Sequence, residues 1–173
     1  MCHWRTIARI DLHDGRFALF VTIVNHQLEM KQVKVEKSLT AGLPQILGNA
    51  NQLQQVLMNL MMNAQQAMEG KPGTITLTTS LADPTTVEIQ VIDTGPGIPP
   101  EMQREVFEPF FTTKPGGKGT GLGLSVSFGI VEDHNGKITL DSAVGHGATF
   151  KIGLPVVHDY VAQEEGELVA QLV

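Results

Sequence analysis

The chain predicts an α/β sandwich, a mixed or antiparallel sheet with helices packed on one face. Two observations carry that expectation. Stretches of helical and of alternating periodicity follow one another as helix, strand, helix, strand, strand, loop, helix, strand, strand. That order pairs strands directly and does not build alternating βαβ units. The second is size. At 173 residues, 42% hydrophobic and 17% charged, the chain suits one well-cored globular domain and would be cramped as two.

Taken in order, Ile10-Asp11-Leu12 reads as a short extended entry. From Gly15 to Leu28, Phe17, Phe20, Val21, Val24 and Leu28 form a helical stripe. Met30 to Leu39 alternates, with Val33, Val35 and Leu39 on one side, so a half-buried strand is expected before the break at Gly42-Leu43-Pro44. The strongest helix follows, capped by Asn49 or Asn51 and running through Met68. Its apolar face is Leu53, Val56, Leu57, Leu60, Met61 and Ala64, and Gly70 with Pro72-Gly73 stops it. Thr74 to Leu81 and Val87 to Ile92 read as a hairpin around Asp83-Pro84. Pro99-Pro100-Glu101 opens a short helix to about Val106. Gly121 to Asp133 reads as a largely apolar, well-buried helix through Leu122, Leu124, Val126, Phe128, Ile130 and Val131. After Asn135-Gly136, Lys137 to Leu140 and Ala148 to Leu154 form an antiparallel pair around Gly145-His146-Gly147.

Bulk properties narrow the function. A formal net charge of −6 argues against a nucleic-acid grip through a broad basic face. A single cysteine, Cys2, forbids an intrachain disulfide and fits a reducing compartment. The longest apolar run, Phe17 to Val24, is too short to span a bilayer, and His3, Arg5, Arg9 and Asp11 interrupt any signal-peptide core. A soluble, cytoplasmic chain is expected, free or as the cytoplasmic part of a membrane-bound sensor.

Four clusters carry chemistry. Thr112 to Ser125 packs five glycines and two lysines, Lys114 and Lys118, into fourteen residues ahead of a helix. Glycine backbones uncover N–H groups, and a helix N-terminus adds its own, so this stretch can grip an anion or be only a mobile surface loop. Asn59 and Asn63 lie at i and i+4 on one face of the long helix, inside an apolar run. A buried amide without a partner costs about 1–3 kcal/mol, so two on one stripe suggest a ligand or a metal, or else amides tied to neighbouring backbone. An amide carbonyl is a hard oxygen donor suited to Mg²⁺. Asp93, ending a strand ahead of Gly95 and Gly97, can select a hydrogen-bond donor such as an exocyclic amine, although such turns are common. Phe107, Phe110 and Phe111 precede Thr112, Thr113 and Lys114, a hinge beside a loop or simply core phenylalanines pinning it. A G-x-x-x-x-G-K-[ST] loop is absent, and the six histidines and one cysteine show no zinc spacing.

In this order the clusters resemble the catalytic ATP-binding domain of bacterial two-component sensor histidine kinases, nearest the nitrogen-regulator subgroup. Gln55 to Ala64 resembles the N box and Asp93 to Ile98 the first G box. Phe107 to Lys114 resembles the F box, Gly119 to Ser125 the second G box, and Gly145-His146-Gly147 with Phe150 the third. The resemblance spans roughly residues 10 to 155 and implies the Bergerat ATP-binding fold, a roughly five-stranded mixed sheet with three main helices on one face. It implies ATP and Mg²⁺ as cofactors, with Asp93 reading the adenine amine and Asn63 holding Mg²⁺. Asn59 and Lys114 would serve catalysis beside the phosphates. Gly95, Gly97, Ile98, Thr113, Lys118, Gly119, Thr120, Gly121, Leu122, Gly123 and Leu124 complete the implied nucleotide contacts, with residues 112–118 as a lid over a fixed turn, 119–123. In hydrolytic cousins a glutamate at the place of Asn59 activates water, and an amide cannot, which favours phosphoryl transfer over hydrolysis.

The pattern departs from the family at Gln66 and Ala67, where many relatives carry a basic and an aromatic residue, and at Ala148-Thr149, where Thr directly follows the glycine elsewhere. No histidine stands in the phosphoacceptor pattern, so the acceptor is expected on a separate dimerisation and phosphoacceptor domain, with a response regulator as indirect partner. The expected organisation is a linker remnant or tag over 1–12, the catalytic domain over 13–155 and an acidic tail over 156–173. Alternatives are a same-fold ATPase, an anti-sigma-factor serine kinase, or a non-catalytic nucleotide-binding docking module.

Overall fold

The structure, a computed structural model, describes residues 8–12, 22, 24, 28, 32–68, 70–113 and 119–157. Alternation along the strands decides which side is buried. In β4 (Gly73–Asp83), β5 (Thr86–Asp93) and β7 (Ala148–Pro155), every second residue is withdrawn from water. Ile75 and Leu77, Val87, Ile89 and Val91, and Phe150, Ile152 and Leu154 form one apolar face. Thr74, Thr76, Glu88, Gln90 and Lys151 lie on the other. Register keeps the apolar rows in line, with Ile89 opposite both Thr79 and Ile152, and Val91 opposite both Leu77 and Phe150.

Five strands form the sheet in the order β2-β4-β5-β7-β6, where β2 is Val33–Leu39 and β6 is Lys137–Ser142. Only the β2–β4 pair is parallel, so the sheet is mixed. Exposed Lys34, Glu36 and Lys37 blunt the β2 edge against pairing with another chain. Two short strands, β1 (Ala8–Ile10) and β3 (Ile46–Gly48), pair antiparallel beside this sheet. Residues 8–12 thus carry a paired strand and a buried leucine, Leu12, so the folded unit includes residues that the sequence reading gave to a linker remnant.

Helix α1 (Ala50–Ala67) buries Leu53, Val56, Leu57, Leu60, Met61 and Ala64, the expected stripe. Each such side chain contributes about 1.5–3 kcal/mol when fully withdrawn from water. Its cap is Asn49, whose side chain accepts from the backbone N–H of Asn51 at 3.0 Å and of Gln52 at 3.4 Å. Helix α2 (Gly123–Asp133) packs against α1. Buried His134 joins the two helices: its Nε2 accepts from Asn49 N–H at 2.9 Å, which leaves Nδ1–H to donate to the Ile130 carbonyl at 2.7 Å.

Three expectations change. The helix expected over Pro99 to Val106 is a run of mostly i→i−3 turns, with one i→i−4 bond from Val106 to Met102, ending in the 3₁₀ turn Glu105–Phe107. Helix α2 starts at Gly123 and not Gly121, because Gly121 sits at φ +64°, outside helical space. Only Ser127, Ile130 and Val131 of α2 are buried, while Leu122, Val126 and Phe128 are 36–41% exposed. One face of α2 meets α1, and the partly exposed apolar residues flank it, Leu122 and Val126 on one side and Phe128, packed on Phe107, on the other. Of the helix expected over Gly15 to Leu28, only Thr22, Val24 and Leu28 are described; they are helical, and Val24 and Leu28 enter the core. The remainder, and the tail beyond Val157, lie outside the described residues.

Candidate functional site

A cavity of about 450 Å³ opens between α1, the loop after β5 and the start of α2. Asn63, Gln66 and Ala67 line it from α1, and Pro96 to Pro99 from the β5 loop. Met102, Val106, Phe111, Thr112 and Thr113 close one side, and Gly119 to Gly121, Gly123 and Leu124 the other. A second hollow, about 580 Å³, lies at the far end of β5, β6 and β7 among Thr86, Glu88, Lys137 and Lys151, and holds none of the sequence-predicted residues. The first cavity is the one the motifs converge on.

The α1 wall follows from helical spacing. Asn59 Nδ2 donates to the Gly123 carbonyl at 3.1 Å and to Ser127 Oγ at 3.2 Å. Asn63, half-buried one turn later, has no side-chain hydrogen bond among the described residues, and its Nδ2 lies 3.9 Å from where a Gly123 Cβ would stand. The Gly119–Gly123 turn therefore lies directly on the two amides. At Gly121, a Cβ would stand 2.6 Å from the Phe110 carbonyl oxygen, and the Phe110 N–H donates to the Gly121 carbonyl at 2.9 Å. Glycine is required there by both φ and space. Phe110 itself takes φ +68° and is 74% exposed.

At the opposite end, β5 delivers Asp93 into the interior. Its Oδ1 accepts from Gly95 N–H at 2.8 Å and from Ala148 N–H at 3.3 Å. Burial pushes the carboxyl above its ordinary value, against those two bonds, which favour the charged form. Oδ2 has no donor among the described residues. Gly147, at φ +76°, lets the backbone of the β6–β7 turn lie on the Asp93 carbonyl, where any Cβ would overlap it. The loop holding Gly97 and Ile98 is pinned to β6. Ile98 N–H donates to Ser142 Oγ at 2.9 Å, and Gln103 Nε2 donates to the Ile98 and Ser142 carbonyls at 2.9 and 2.8 Å.

Of the sequence-predicted residues, Asn63, Gly97, Ile98, Thr113, Gly119, Thr120, Gly121, Gly123 and Leu124 line the cavity. Asn59 lies behind the Gly123 turn, Asp93 is buried with Gly95 on its carboxylate, and Leu122 is turned outward, 38% exposed. Lys114 and Lys118 lie outside the described residues. Sequence reasoning missed Ser127, Ser142, Gln103 and the exposure of Phe110. Ser127 alone left a signal, a hydroxyl within an apolar helical run.

Residues 48–158 match the family described as histidine kinase-, DNA gyrase B-, and HSP90-like ATPase. The chain belongs to this family. It is 40% identical over 139 residues to the two-component sensor PprA of Pseudomonas aeruginosa, covering 78% of this chain and 15% of that protein. With the sensor histidine kinase ZraS of Escherichia coli it shares 39% identity over 142 residues, 78% of this chain and 30% of ZraS. It thus spans under a third of the length of these relatives. The solved catalytic domain of histidine kinase ThkA superposes with a TM-score of 0.75 at 29% identity, covering 88% of this chain and 99% of that one. Full-length ShkA in complex with AMPPNP gives 0.77 at 27% identity, over 88% of this chain and 32% of ShkA. The five-stranded mixed sheet with its helices is the fold of histidine kinase catalytic domains, the Bergerat fold.

Proposed function

We propose that this chain is the ATP-binding catalytic domain of a sensor histidine kinase, transferring the γ-phosphoryl group of ATP to a histidine on a separate dimerisation and phosphoacceptor domain. The observation that carries this is the pair of asparagine amides on α1 that meet a glycine turn, Asn63 on the cavity and Asn59 behind the turn. A carboxylate in the place of Asn59 could take a proton from water; an amide cannot. Here the amide N–H groups are also committed to Gly123 and Ser127. Water activation from this helix position is thereby withheld, and the site is suited to holding ATP until an acceptor arrives.

Asp93 recognises the adenine amine through its uncommitted Oδ2, with Gly95, Gly97 and Ile98 letting the ring lie against backbone. The Gly119–Gly123 turn presents N–H groups to the phosphates. Magnesium fits the donor set. Among the described residues Asn63 offers a half-buried carbonyl oxygen with no protein partner, and no cluster of three His, Cys, Asp or Glu occurs. A single protein oxygen with phosphates and water is a common setting for Mg²⁺, and bound there the ion would neutralise phosphate charge. Lys114 and Lys118 add positive charge from the lid, and the acceptor imidazole attacks in line, so rate comes from positioning and charge neutralisation.

Three exposed apolar residues stand at the Gly119–Gly123 turn and the start of α2: Phe110, bonded through its N–H to Gly121, and Leu122 and Val126 one helical turn apart. They offer the phosphoacceptor domain a docking face next to the group being transferred, and a response regulator then receives the phosphoryl group from that domain. No described helix is long and apolar enough to cross a membrane, and the domain works in the cytoplasm, where ATP is found. Replacing Asn63→Ala tests the assignment. Magnesium-dependent binding of an ATP analogue should disappear with the melting temperature unchanged, and retained magnesium dependence would refute it.

A further inference from the structure

Asn59 and Ser127 form a three-cornered network whose donors and acceptors can be assigned without ambiguity. The Gly123 carbonyl only accepts. The side-chain atom of Asn59 facing it at 3.1 Å must therefore be Nδ2, and the Ser127 hydroxyl, 2.8 Å from the same carbonyl, must donate. With its hydrogen turned to Gly123, Ser127 Oγ offers a lone pair, which takes the second Nδ2–H of Asn59 at 3.2 Å. Both N–H bonds of the amide are thus consumed. Oδ1 is left as its only uncommitted atom, with no donor among the described residues.

We propose that Ser127 is a positioning residue for the nucleotide–magnesium site, holding the Asn59 amide so that Oδ1, and never Nδ2, is available to the bound metal's water shell. If the hydroxyl is removed, the Gly123 carbonyl holds only one of the two N–H groups, and the other can be presented as a donor, which repels a cation and its outward-pointing water hydrogens. Ser127 is fully buried, with no exposure at all, so water cannot replace the lost acceptor when the hydroxyl is removed. It also donates to the carbonyl of Gly123, the first residue of α2. This inference rests on the proposed ATP-binding function and adds a residue to it.

The test is a double-mutant cycle on nucleotide affinity, measured by calorimetry with a non-hydrolysable ATP analogue with and without Mg²⁺. Ser127→Ala should weaken binding with Mg²⁺ about 5- to 10-fold and leave magnesium-free binding within about twofold, with no more than the modest fall in melting temperature that one lost buried hydrogen bond brings. Ser127→Thr, which keeps the hydroxyl, should restore most of the magnesium-dependent affinity. In an Asn59→Ala background Ser127→Ala should add nothing, because its effect passes through the amide. Unchanged magnesium-dependent binding in Ser127→Ala overturns the proposal, as does an additive cycle. A fall in melting temperature with an equal loss of binding in both metal conditions marks a purely structural serine and overturns it too. Wild-type protein that binds no nucleotide overturns the function itself, an outcome separate from all of these.

Discussion

Gly121→Ala and Gly129→Ala place the same methyl group at two glycines of one segment, the first in the turn before α2 and the second inside it, with opposite expected results. At Gly121 the backbone has φ +64°, and an added Cβ would stand 2.6 Å from both Cα and O of Phe110. An L-residue in that region costs about 1–2 kcal/mol before any overlap is counted. The overlap is with backbone, which cannot swing aside as a side-chain tip could, so the Gly119–Gly123 turn must move. A total near 2 kcal/mol corresponds to about 30-fold weaker nucleotide binding. Gly129 lies inside α2 with nothing within 4 Å of its Cβ position. Alanine there should raise stability by about 0.5–1 kcal/mol through helix propensity and leave affinity untouched. Titration with a fluorescent ATP analogue and thermal melts of both variants are sufficient. Gly121→Ala binding with wild-type affinity would refute the claim that this turn is held in place by Phe110 and grips phosphate.

Other outcomes follow from the same geometry. Asp93→Asn removes a buried charge while keeping an oxygen for the Gly95 and Ala148 N–H groups, so the melting temperature at neutral pH should hold or rise as adenine-nucleotide binding is lost. Because burial raises the Asp93 carboxyl in the folded state, its charged form destabilises the fold above that raised value, and the penalty is relieved as pH falls toward the unfolded value. Nucleotide affinity should accordingly decline on acidification at a higher pH than an ordinary aspartate would dictate, with the Asp93→Asn variant lacking that step in a pH titration. Phe110→Asn keeps a residue that tolerates positive φ but removes the exposed ring. It should leave nucleotide affinity within about twofold and cut transfer to a separately supplied acceptor domain at least about tenfold, as loss of an aromatic anchor does at interfaces. Equal rates from Phe110→Asn and wild type would remove this face from the docking surface.

How much could be read in advance depends on the range of the interactions. Helix α1 was legible because six apolar residues at helical spacing leave little freedom, and Asn59 and Asn63 stood out against them. The β4–β5 and β6–β7 hairpins were legible because alternation and turn residues are local signals. Strand β3, at three residues, is too short to show a period, and its partner β1 lies some forty positions earlier. The hold of Gln103 and Ser142 on the Gly97–Ile98 loop joins residues about forty apart and leaves no local trace. The apolar run of α2 was misread as core throughout. Periodicity reports hydrophobicity, and a surface awaiting a partner carries the same residues as a core, so Leu122, Val126 and Phe128 could be told apart only once α1 was in place. The glycine stretch was legible as a turn opening a helix, but not that Phe110 stands behind Gly121.

The central claim is that ATP held on this domain passes its γ-phosphoryl group to a histidine and not to water. Incubating the chain with a separately produced phosphoacceptor domain and γ-labelled ATP, then following both labelled protein and free phosphate, tests it most directly. The expected result is acid-labile label on the acceptor domain, with little phosphate released when that domain is left out. Steady phosphate release by the chain alone, with no label reaching the acceptor, would contradict the account and assign the Asn59–Asn63 cavity to hydrolysis.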